Sequence, residues 1–168
     1  PETRFIVPQC GSCGLWKKCK SPKMPVTGQG RKRILIVAEA PGKNEDDNNI
    51  QLVGESGQKL EGILRRCKID MRGDCWLSNA VICRPSSDNG QNRTPTDKEI
   101  AWCQPNLTKT IKELNPIVII PLGGPATKSV IDPIWKDDQG FPISRWVGWK
   151  IPCQKLNSWI CPTYHPSY

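Results

Sequence analysis

The sequence predicts an α/β fold, a three-layer α/β/α sandwich around a mainly parallel, four-stranded central sheet. Short apolar runs, typical of strands buried on both faces, alternate with helical patterns. The 168 residues suffice for one domain, residues 1–168, with no internal repeat. With 37% hydrophobic and 24% charged residues, the composition is that of a globular chain rather than a disordered one.

The first predicted strand is the mostly β-branched run Ile34–Ala38, which breaks abruptly into the turn Glu39–Gly42. Ligands of open α/β sheets bind at the carboxyl ends of the strands. The carboxylates of Glu39 and Glu45 are therefore candidate site residues. A surface turn with solvated acids explains this stretch alone equally well. Residues 43–49 are predicted to form a polar loop.

A helix is predicted to follow, with Ser56 as its N-cap and its end near Cys67. Residues 75–83 form the second predicted strand, which carries Asn79 among apolar neighbours. A buried asparagine needs hydrogen-bond partners. Those partners are either local backbone groups or the donor and acceptor edge of a ligand.

After a long turn-rich loop, Thr96 and Glu99 form a capping box that opens a helix over about residues 97–114. Residues 116–122 are the third predicted strand. It runs into Gly123-Gly124, whose amides suit a phosphate, although a tight strand-to-helix turn uses glycine equally well.

A short helix through Val130 is predicted next. Residues 133–160 are predicted to be irregular, with a hairpin near 143–153. The last strand is predicted over 159–163, and it leads directly to the only histidine of the chain, His165.

The charge balance favours a polyanionic partner. Lys and Arg number 24 against 16 Asp and Glu, a net charge of +8. Nucleic acid is the first such partner and an anionic membrane surface the second. No stretch approaches the roughly 20 apolar residues of a membrane span, and the first residues lack the apolar core of a signal peptide. We therefore expect a cytoplasmic protein.

The nine cysteines cannot form a complete disulfide set, and a reducing compartment disfavours disulfides. Metal or cluster ligation is the better interpretation for some of them. Residues 1–30, which are rich in Cys, Gly, Pro and Lys, contain a Cys-x-x-Cys chelate at Cys10 and Cys13, with Cys19 six residues further on.

Three separated motifs occur in order along the chain. They are Glu39-Ala-Pro-Gly-x-x-Glu45, Asn79 before Cys83-Arg-Pro85, and His165-Pro-Ser167. Together with the cysteines, this ordered set resembles the iron–sulfur uracil-DNA glycosylases, family 4 of the uracil-DNA glycosylase superfamily. The resemblance covers essentially the whole chain.

The resemblance implies a structural four-iron four-sulfur cluster that ties the N-terminal segment to the loop after the second strand and to a helix. Its ligands would be Cys10, Cys13, Cys83 and Cys103. Tetrahedral zinc accepts the same ligand set, but the resemblance favours the cluster. The other cysteines match no ligand position and are expected to be small buried side chains. They are Cys19, Cys67, Cys75, Cys153 and Cys161.

The resemblance also implies a monofunctional DNA glycosylase, which flips uracil out of DNA, hydrolyses its N-glycosidic bond and so starts base-excision repair. His165 would donate a hydrogen bond to uracil O2, where the charge of the leaving anion develops. Asn79 would bind the O4 and N3–H edge. Glu39 and Glu45 would position the water or stabilise the cationic sugar, with the two roles not assigned between them.

Ala40 and Leu52 would complete the base pocket. The substrate would be single- or double-stranded DNA, bound by a monomer, and phosphate contacts would make binding sensitive to salt. Ser167 and Tyr168 lie where the family wedges the duplex. The DNA contacts that the resemblance implies are Arg84, Arg93, Gly123, Gly124, Pro166, Ser167 and Tyr168.

The first departure from the family pattern lies in the base pocket and keeps alternatives open. The family usually has a stacking Phe where this chain has Leu52, and Gly is common where it has Ala38. Base–aromatic stacking is worth about 1–3 kcal/mol per base, so its absence is expected to lower the affinity for uracil. Alternatively, the smaller side chain leaves room for a bulkier base. The alternatives are a glycosylase for modified pyrimidines of phage DNA, in defence or in the phage, and a catalytically weak iron–sulfur DNA-binding protein.

The second departure is the C-terminus. The family continues past this point into another helix, whereas the sequence ends at Tyr168. We expect the chain to stop short of that helix, through truncation or through omission of a tail.

Overall fold

The structure is a computed structural model that describes residues 10–135 and 142–168. Its strands form one sheet in the order β2-β1-β3-β5-β4. Neighbouring strands are parallel except for β4, which is antiparallel to β5. The strands are β1 (Ile34–Ala38), β2 (Cys75–Asn79), β3 (Val118–Pro121), β4 (Ile151–Cys153) and β5 (Ser158–Ile160).

The helices cover both faces of this sheet. They are α1 (Lys43–Asn48), α2 (Glu55–Arg66), α3 (Met71–Asp74), α4 (Asp97–Leu114) and α5 (Gly124–Ile131), with 3-10 turns at Leu15–Lys17, Ile143–Arg145 and Gln154–Leu156. No helix of the described ranges combines the length and apolarity that a membrane crossing requires.

Alternation along β1 separates two core layers. Leu35 and Val37 pack in the apolar cluster with α4 and α5, whereas Ile36 and Ala38 pack in the cluster with α2 and α3. Successive strand side chains point to opposite faces, and apolar residues on both faces require helices on both. The predicted three-layer architecture with a mainly parallel sheet is therefore confirmed.

The strand number was wrong, because five strands rather than four form the described sheet. The additional strand, β4, is three residues long and forms a hairpin with β5 through the 3-10 turn Gln154–Leu156. The predicted hairpin near 143–153 thus lies too early in the chain. Such a short edge strand depends on pairing with a neighbour and carries little periodicity of its own.

Element boundaries shifted elsewhere. The predicted polar loop over 43–49 contains helix α1, and α2 begins at Glu55 after Gly54, so Ser56 is not its N-cap. The second strand ends at Asn79 rather than at residue 83. The capping box of Thr96 and Glu99 opens α4 as predicted.

Two predicted regions lie partly outside the described residues. They are the first nine residues of the cysteine-rich segment 1–30, and residues 136–141 of the irregular region 133–160.

Candidate active site

A cavity of about 670 Å³ opens at the carboxyl edge of the sheet, a size typical of ligand sites. The parallel strands all end at this edge, which gathers loops that are distant in sequence. The predicted site residues that line the cavity are Glu39, Ala40, Glu45, Leu52, Asn79, Arg93, His165 and Ser167. The lining does not include the predicted DNA-contact residues Arg84, Gly123, Gly124, Pro166 and Tyr168.

Glu39 directly follows β1 and is partly buried in the cavity wall. Burial raises the pKa of its carboxyl group above the usual value, and a hydrogen bond with the Thr94 side chain lowers the pKa in part. Burial raises a carboxyl pKa because low dielectric disfavours the anion. Glu39 is therefore a desolvated carboxylate facing space that a ligand can fill.

Glu45 has a different environment. Its Oε2 accepts the Gly42 N–H at 3.1 Å, and its Oε1 accepts the N–H groups of Val53 at 3.0 Å and Gly54 at 2.7 Å. The carboxylate thereby caps α1 and joins the loop after β1 to the segment before α2. These bonds occupy much of the capacity of the carboxylate to accept hydrogen bonds. Glu45 therefore connects two loops.

Asn79 is the last residue of β2 and is 2% exposed. Its Nδ2 lies 3.8 Å from the Met24 sulfur, and a thioether is only a weak acceptor. The amide therefore retains hydrogen-bonding capacity for a ligand in the cavity.

The tautomer of His165 follows from Ser167. The Ser167 N–H donates to Nδ1 at 3.3 Å, and the Ser167 hydroxyl lies 2.7 Å from the same nitrogen. A backbone N–H can only donate, so Nδ1 is the acceptor and the neutral ring carries its proton on Nε2. Burial lowers the imidazole pKa, which favours this neutral form. Ser167, predicted as a DNA contact, thus orients the histidine.

The Gly123 backbone allows a close approach to this histidine. Its φ of 85° is in the left-handed region, and a Cβ there would lie 3.3 Å from the His165 Cβ. Its N–H donates to the Thr163 carbonyl at 2.8 Å. Glycine at this position therefore lets the loop after β3 pack against the chain that carries the imidazole.

The arginines of the 84–96 loop are engaged within the protein. Arg84 donates to the Asn92 side chain at 2.8 Å and to the Gly90 carbonyl at 2.7 Å. Arg93 forms a bidentate pair with Glu99, with N–O distances of 2.8 and 2.6 Å. These bonds shape the loop around the cavity, and the phosphate contacts of both arginines stay predictions.

Other cavity residues had not been predicted. Thr94 and Asn92 come from the 84–96 loop, and Lys43 and Asn44 from the first turn of α1. These residues lie in polar stretches without periodicity, where composition does not distinguish a cavity wall from a solvated loop.

A second, smaller cavity brings the four predicted cluster ligands together. It is lined by Cys10, Cys13, Cys83 and Cys103, with Trp16, Val81 and Trp102 among its other residues. Backbone N–H groups donate to two of the sulfurs, from Lys23 to Cys83 at 3.2 Å and from Ile82 to Cys103 at 3.3 Å. Four thiols with N–H donors in an apolar enclosure fit the ligand set of an iron–sulfur cluster.

Burial disfavours the thiolate forms of two cysteines of this cavity, Cys83 and Cys103. Burial raises the pKa of Cys83 to about 12 and also raises the pKa of Cys103. Among the described residues, no three His, Cys, Asp or Glu side chains surround a position for a single metal ion. A cluster takes one thiolate at each iron, so its ligands surround a larger body than one ion.

The remaining cysteines have mixed environments. Cys75 and Cys153 are buried, as expected, but Cys67 is exposed. Cys67 is the C-cap of α2, where the helix end faces solvent. Cys19 is half-buried beside Cys83, against the apolar cluster that contains it.

Comparison with known proteins agrees with this geometry. The sequence model of the uracil DNA glycosylase superfamily matches residues 25–168. A type-4 uracil-DNA glycosylase of Thermotoga maritima is 38% identical over 149 residues, which cover 85% of this chain and 70% of that protein. One of Saccharolobus solfataricus is 32% identical over 163 residues, 96% of this chain and 72% of that protein.

A DNA polymerase of Bacillus phage SP01 also matches. It is 32% identical over 110 residues, 64% of this chain but 11% of the polymerase. The similarity is therefore to one short region of that long protein.

Proposed function

The chain belongs to the uracil DNA glycosylase superfamily, and we propose that it is a type-4 enzyme that hydrolyses the N-glycosidic bond of uracil in DNA. The observation that carries this proposal is the convergence of Glu39, Asn79 and His165 in one cavity. Glu39 follows β1, Asn79 ends β2 and His165 lies in the segment after β5, and each has spare hydrogen-bonding capacity. The relatives named as type-4 uracil-DNA glycosylases support the same assignment.

The base is recognised by Asn79. Uracil presents O4 as an acceptor and N3–H as a donor, and a carboxamide offers the complementary pair. The weak contact with Met24 leaves that pair available. Uracil must leave the base stack before these groups reach it.

The leaving group is stabilised by His165. As the glycosidic bond breaks, negative charge develops on the pyrimidine at O2, and a fixed N–H donor there lowers the barrier. Ser167 holds the ring with Nε2–H free to donate. The lowered pKa keeps the imidazole neutral near pH 7, so its role is hydrogen-bond donation.

The sugar becomes cationic in the same step. Glu39 supplies the negative charge that stabilises this cation and accepts a hydrogen bond from the attacking water. Glu45 holds the loop after β1 in place through three backbone N–H groups. This division of roles was open in the sequence.

DNA is the substrate class that the net charge of +8 favours. Phosphate contacts from the loops at the cavity mouth would be insensitive to sequence and weakened by salt. Tyr168 is 93% exposed and stacks on Tyr164 with ring centroids 4.9 Å apart. This pair is suited to packing against bases next to the flipped nucleotide.

A four-iron four-sulfur cluster would be held by Cys10, Cys13, Cys83 and Cys103. When bound, it supplies the positive charge that makes four thiolates stable in an apolar cavity. The chain's own contribution is structural, because Cys83 follows β2, Cys103 lies in α4, and the Cys10–Cys13 chelate belongs to the N-terminal segment.

A base-release assay tests this function. Purified protein is incubated with single- and double-stranded oligonucleotides that contain one uracil, and abasic sites are detected by alkaline cleavage. We expect cleavage at the uracil position. Oligonucleotides with thymine at that position serve as the control, and the absence of cleavage in both uracil substrates would contradict the proposal.

A second candidate function is excision of a modified pyrimidine, which Leu52 favours because it lines the cavity without an aromatic face. DNA that carries modified pyrimidines is assayed in parallel. Abasic sites in that DNA alone would support this candidate over uracil excision.

A further inference from the structure

Leu52 has an unusual backbone conformation for a residue in the wall of the base cavity. Its φ is 55°, in the left-handed region, and its side chain is 7% exposed. This region is unfavourable for a residue that carries a Cβ. Such conformations persist where the surroundings over-determine them, and they concentrate at functional sites.

Arg72 supplies one part of this constraint. A single nitrogen of its guanidinium, Nη2, donates to the Gln51 carbonyl at 2.9 Å and to the Leu52 carbonyl at 3.1 Å. Arg72 belongs to α3 and is not among the residues that line the cavity. Its Nη1 is buried without a hydrogen-bond partner among the described residues. The guanidinium is thus held away from water to serve these two carbonyls.

Gln51 and Gly57 supply the rest of the constraint on the Leu52 backbone. The Gln51 side chain is 1% exposed, accepts the Thr27 hydroxyl at 2.5 Å and donates to the Pro25 carbonyl. A Cβ on Gly57 would lie 1.9 Å from the Leu52 carbonyl oxygen. A side chain at position 57 would therefore clash with the backbone of Leu52, so this turn requires glycine there.

We propose that Arg72 is a positioning residue that sets the base-contacting wall of the cavity by holding Leu52 in its left-handed conformation. This inference rests on the proposed function of the cavity. Arg72 touches neither base nor sugar. It acts through two carbonyls and decides where the Leu52 side chain meets the flipped base.

The test compares Arg72→Met, which keeps the aliphatic stem but removes the donors, with Arg72→Lys, which keeps one charged donor. Arg66→Met, an exposed arginine at the end of α2, is the matched control. The measurements are KM and kcat for uracil-containing DNA and the inhibition constant of free uracil, which reports base affinity in the absence of bond cleavage.

We expect Arg72→Met to raise both KM and the inhibition constant about tenfold, because it removes two hydrogen bonds made by a charged donor, and tenfold corresponds to about 1.4 kcal/mol. kcat should change by less than about threefold. Arg72→Lys should give values of KM and of the inhibition constant between those of the wild type and Arg72→Met. Uracil release by the wild type together with equal constants for Arg72→Met and Arg66→Met would overturn the inference. Absence of uracil release by the wild type would instead refute the proposed function.

A double-mutant cycle separates positioning from general stabilisation. Glycine adopts positive φ without strain, so Leu52→Gly removes part of the need for Arg72. We expect Arg72→Met to lower the unfolding midpoint less in the Leu52→Gly background than in the wild type. An equal loss in both backgrounds would mean that Arg72 stabilises the fold without acting through Leu52, which contradicts the inference.

Discussion

The candidate active-site cavity and the cysteine cavity use burial for opposite purposes. In the candidate active-site cavity, Glu39 and His165 are half-buried and Asn79 is buried, and all three keep capacity for a ligand. In the cysteine cavity, the sulfurs of Cys83 and Cys103 receive backbone N–H donors from the protein. Under the proposed function, the first arrangement binds and cleaves the substrate, whereas the second holds a structural cluster.

The cavities are also joined by one short segment. The Lys23 N–H donates to Cys83 in the cysteine cavity, and the Met24 sulfur contacts the Asn79 amide in the other. Thr27 donates to Gln51, next to Leu52. The segment from residue 23 to residue 27 therefore contacts Cys83 in one cavity and Asn79 in the other. We therefore expect damage to the cysteine cavity to perturb the candidate active site.

The largest expected effect comes from Cys83→Ser. If the proposed iron–sulfur cluster is bound, loss of this ligand should remove its visible absorbance and lower the free energy of unfolding by about 4 kcal/mol or more, as loss of a structural metal does. Chemical denaturation and absorbance spectra measure both. Cys67→Ser, at an exposed cysteine, is the matched control, and equal stability of the two variants would rule out the structural role.

The next effect comes from His165→Ala. We expect kcat for uracil release to fall about 10²–10³-fold, the usual cost of removing one donor to a developing anion. The dissociation constant for DNA should stay nearly unchanged, because phosphate contacts dominate affinity. Single-turnover kinetics and a binding titration measure the two quantities. A variant that still excises at the wild-type rate would remove His165 from the mechanism.

Separate replacement of Glu39 and Glu45 should have different effects on stability and on excision. Glu45→Gln should lower the free energy of unfolding by about 1–3 kcal/mol, because an amide cannot accept all three N–H bonds. Glu39→Gln should reduce excision more strongly and leave stability equal or higher. Thermal unfolding and kcat together measure this, and matching profiles for the two variants would contradict the assigned roles.

The difference in the free energy of unfolding between the wild type and Glu39→Gln should depend on pH. Burial raises the folded-state pKa above the unfolded value, so the folded protein binds more protons in that window and loses stability as pH rises through it. The advantage of Glu39→Gln should therefore be full above the folded pKa and vanish below the unfolded one. Unfolding curves of both proteins from pH 4 to pH 8, on the usual scale for carboxyl groups, measure it.

The smallest effect should come from Leu52→Phe. An aromatic face in the cavity wall should strengthen base binding by about 1–3 kcal/mol, seen as a lower inhibition constant for free uracil. Leu52→Met, an apolar change without an aromatic face and without β-branching at the positive φ of this residue, is the control. If Leu52→Phe weakens uracil binding while excision of a bulkier base persists in the wild type, the pocket is built for the bulkier base.

Much of this protein was determined by local sequence. The apolar run Ile34–Ala38 specified a strand buried on both faces, and the capping box of Thr96 and Glu99 specified the start of α4. The alternation of strands with helices was enough to predict a mainly parallel sheet with Glu39 at its carboxyl edge, whereas the family resemblance assigned Asn79 to the same site. Periodicity and caps act over a few residues, so the chain itself carries them.

Only the tertiary structure decided what each polar side chain does. Glu39 and Glu45 look alike in the sequence, but the N–H groups that occupy Glu45 come in part from residues 53 and 54. Arg72 precedes β2 and yet holds the turn at Leu52, twenty residues earlier in the chain. β4 exists through its pairing with β5. Hydrogen-bond partners and edge pairing depend on where distant segments fold together, and no local pattern encodes that distance.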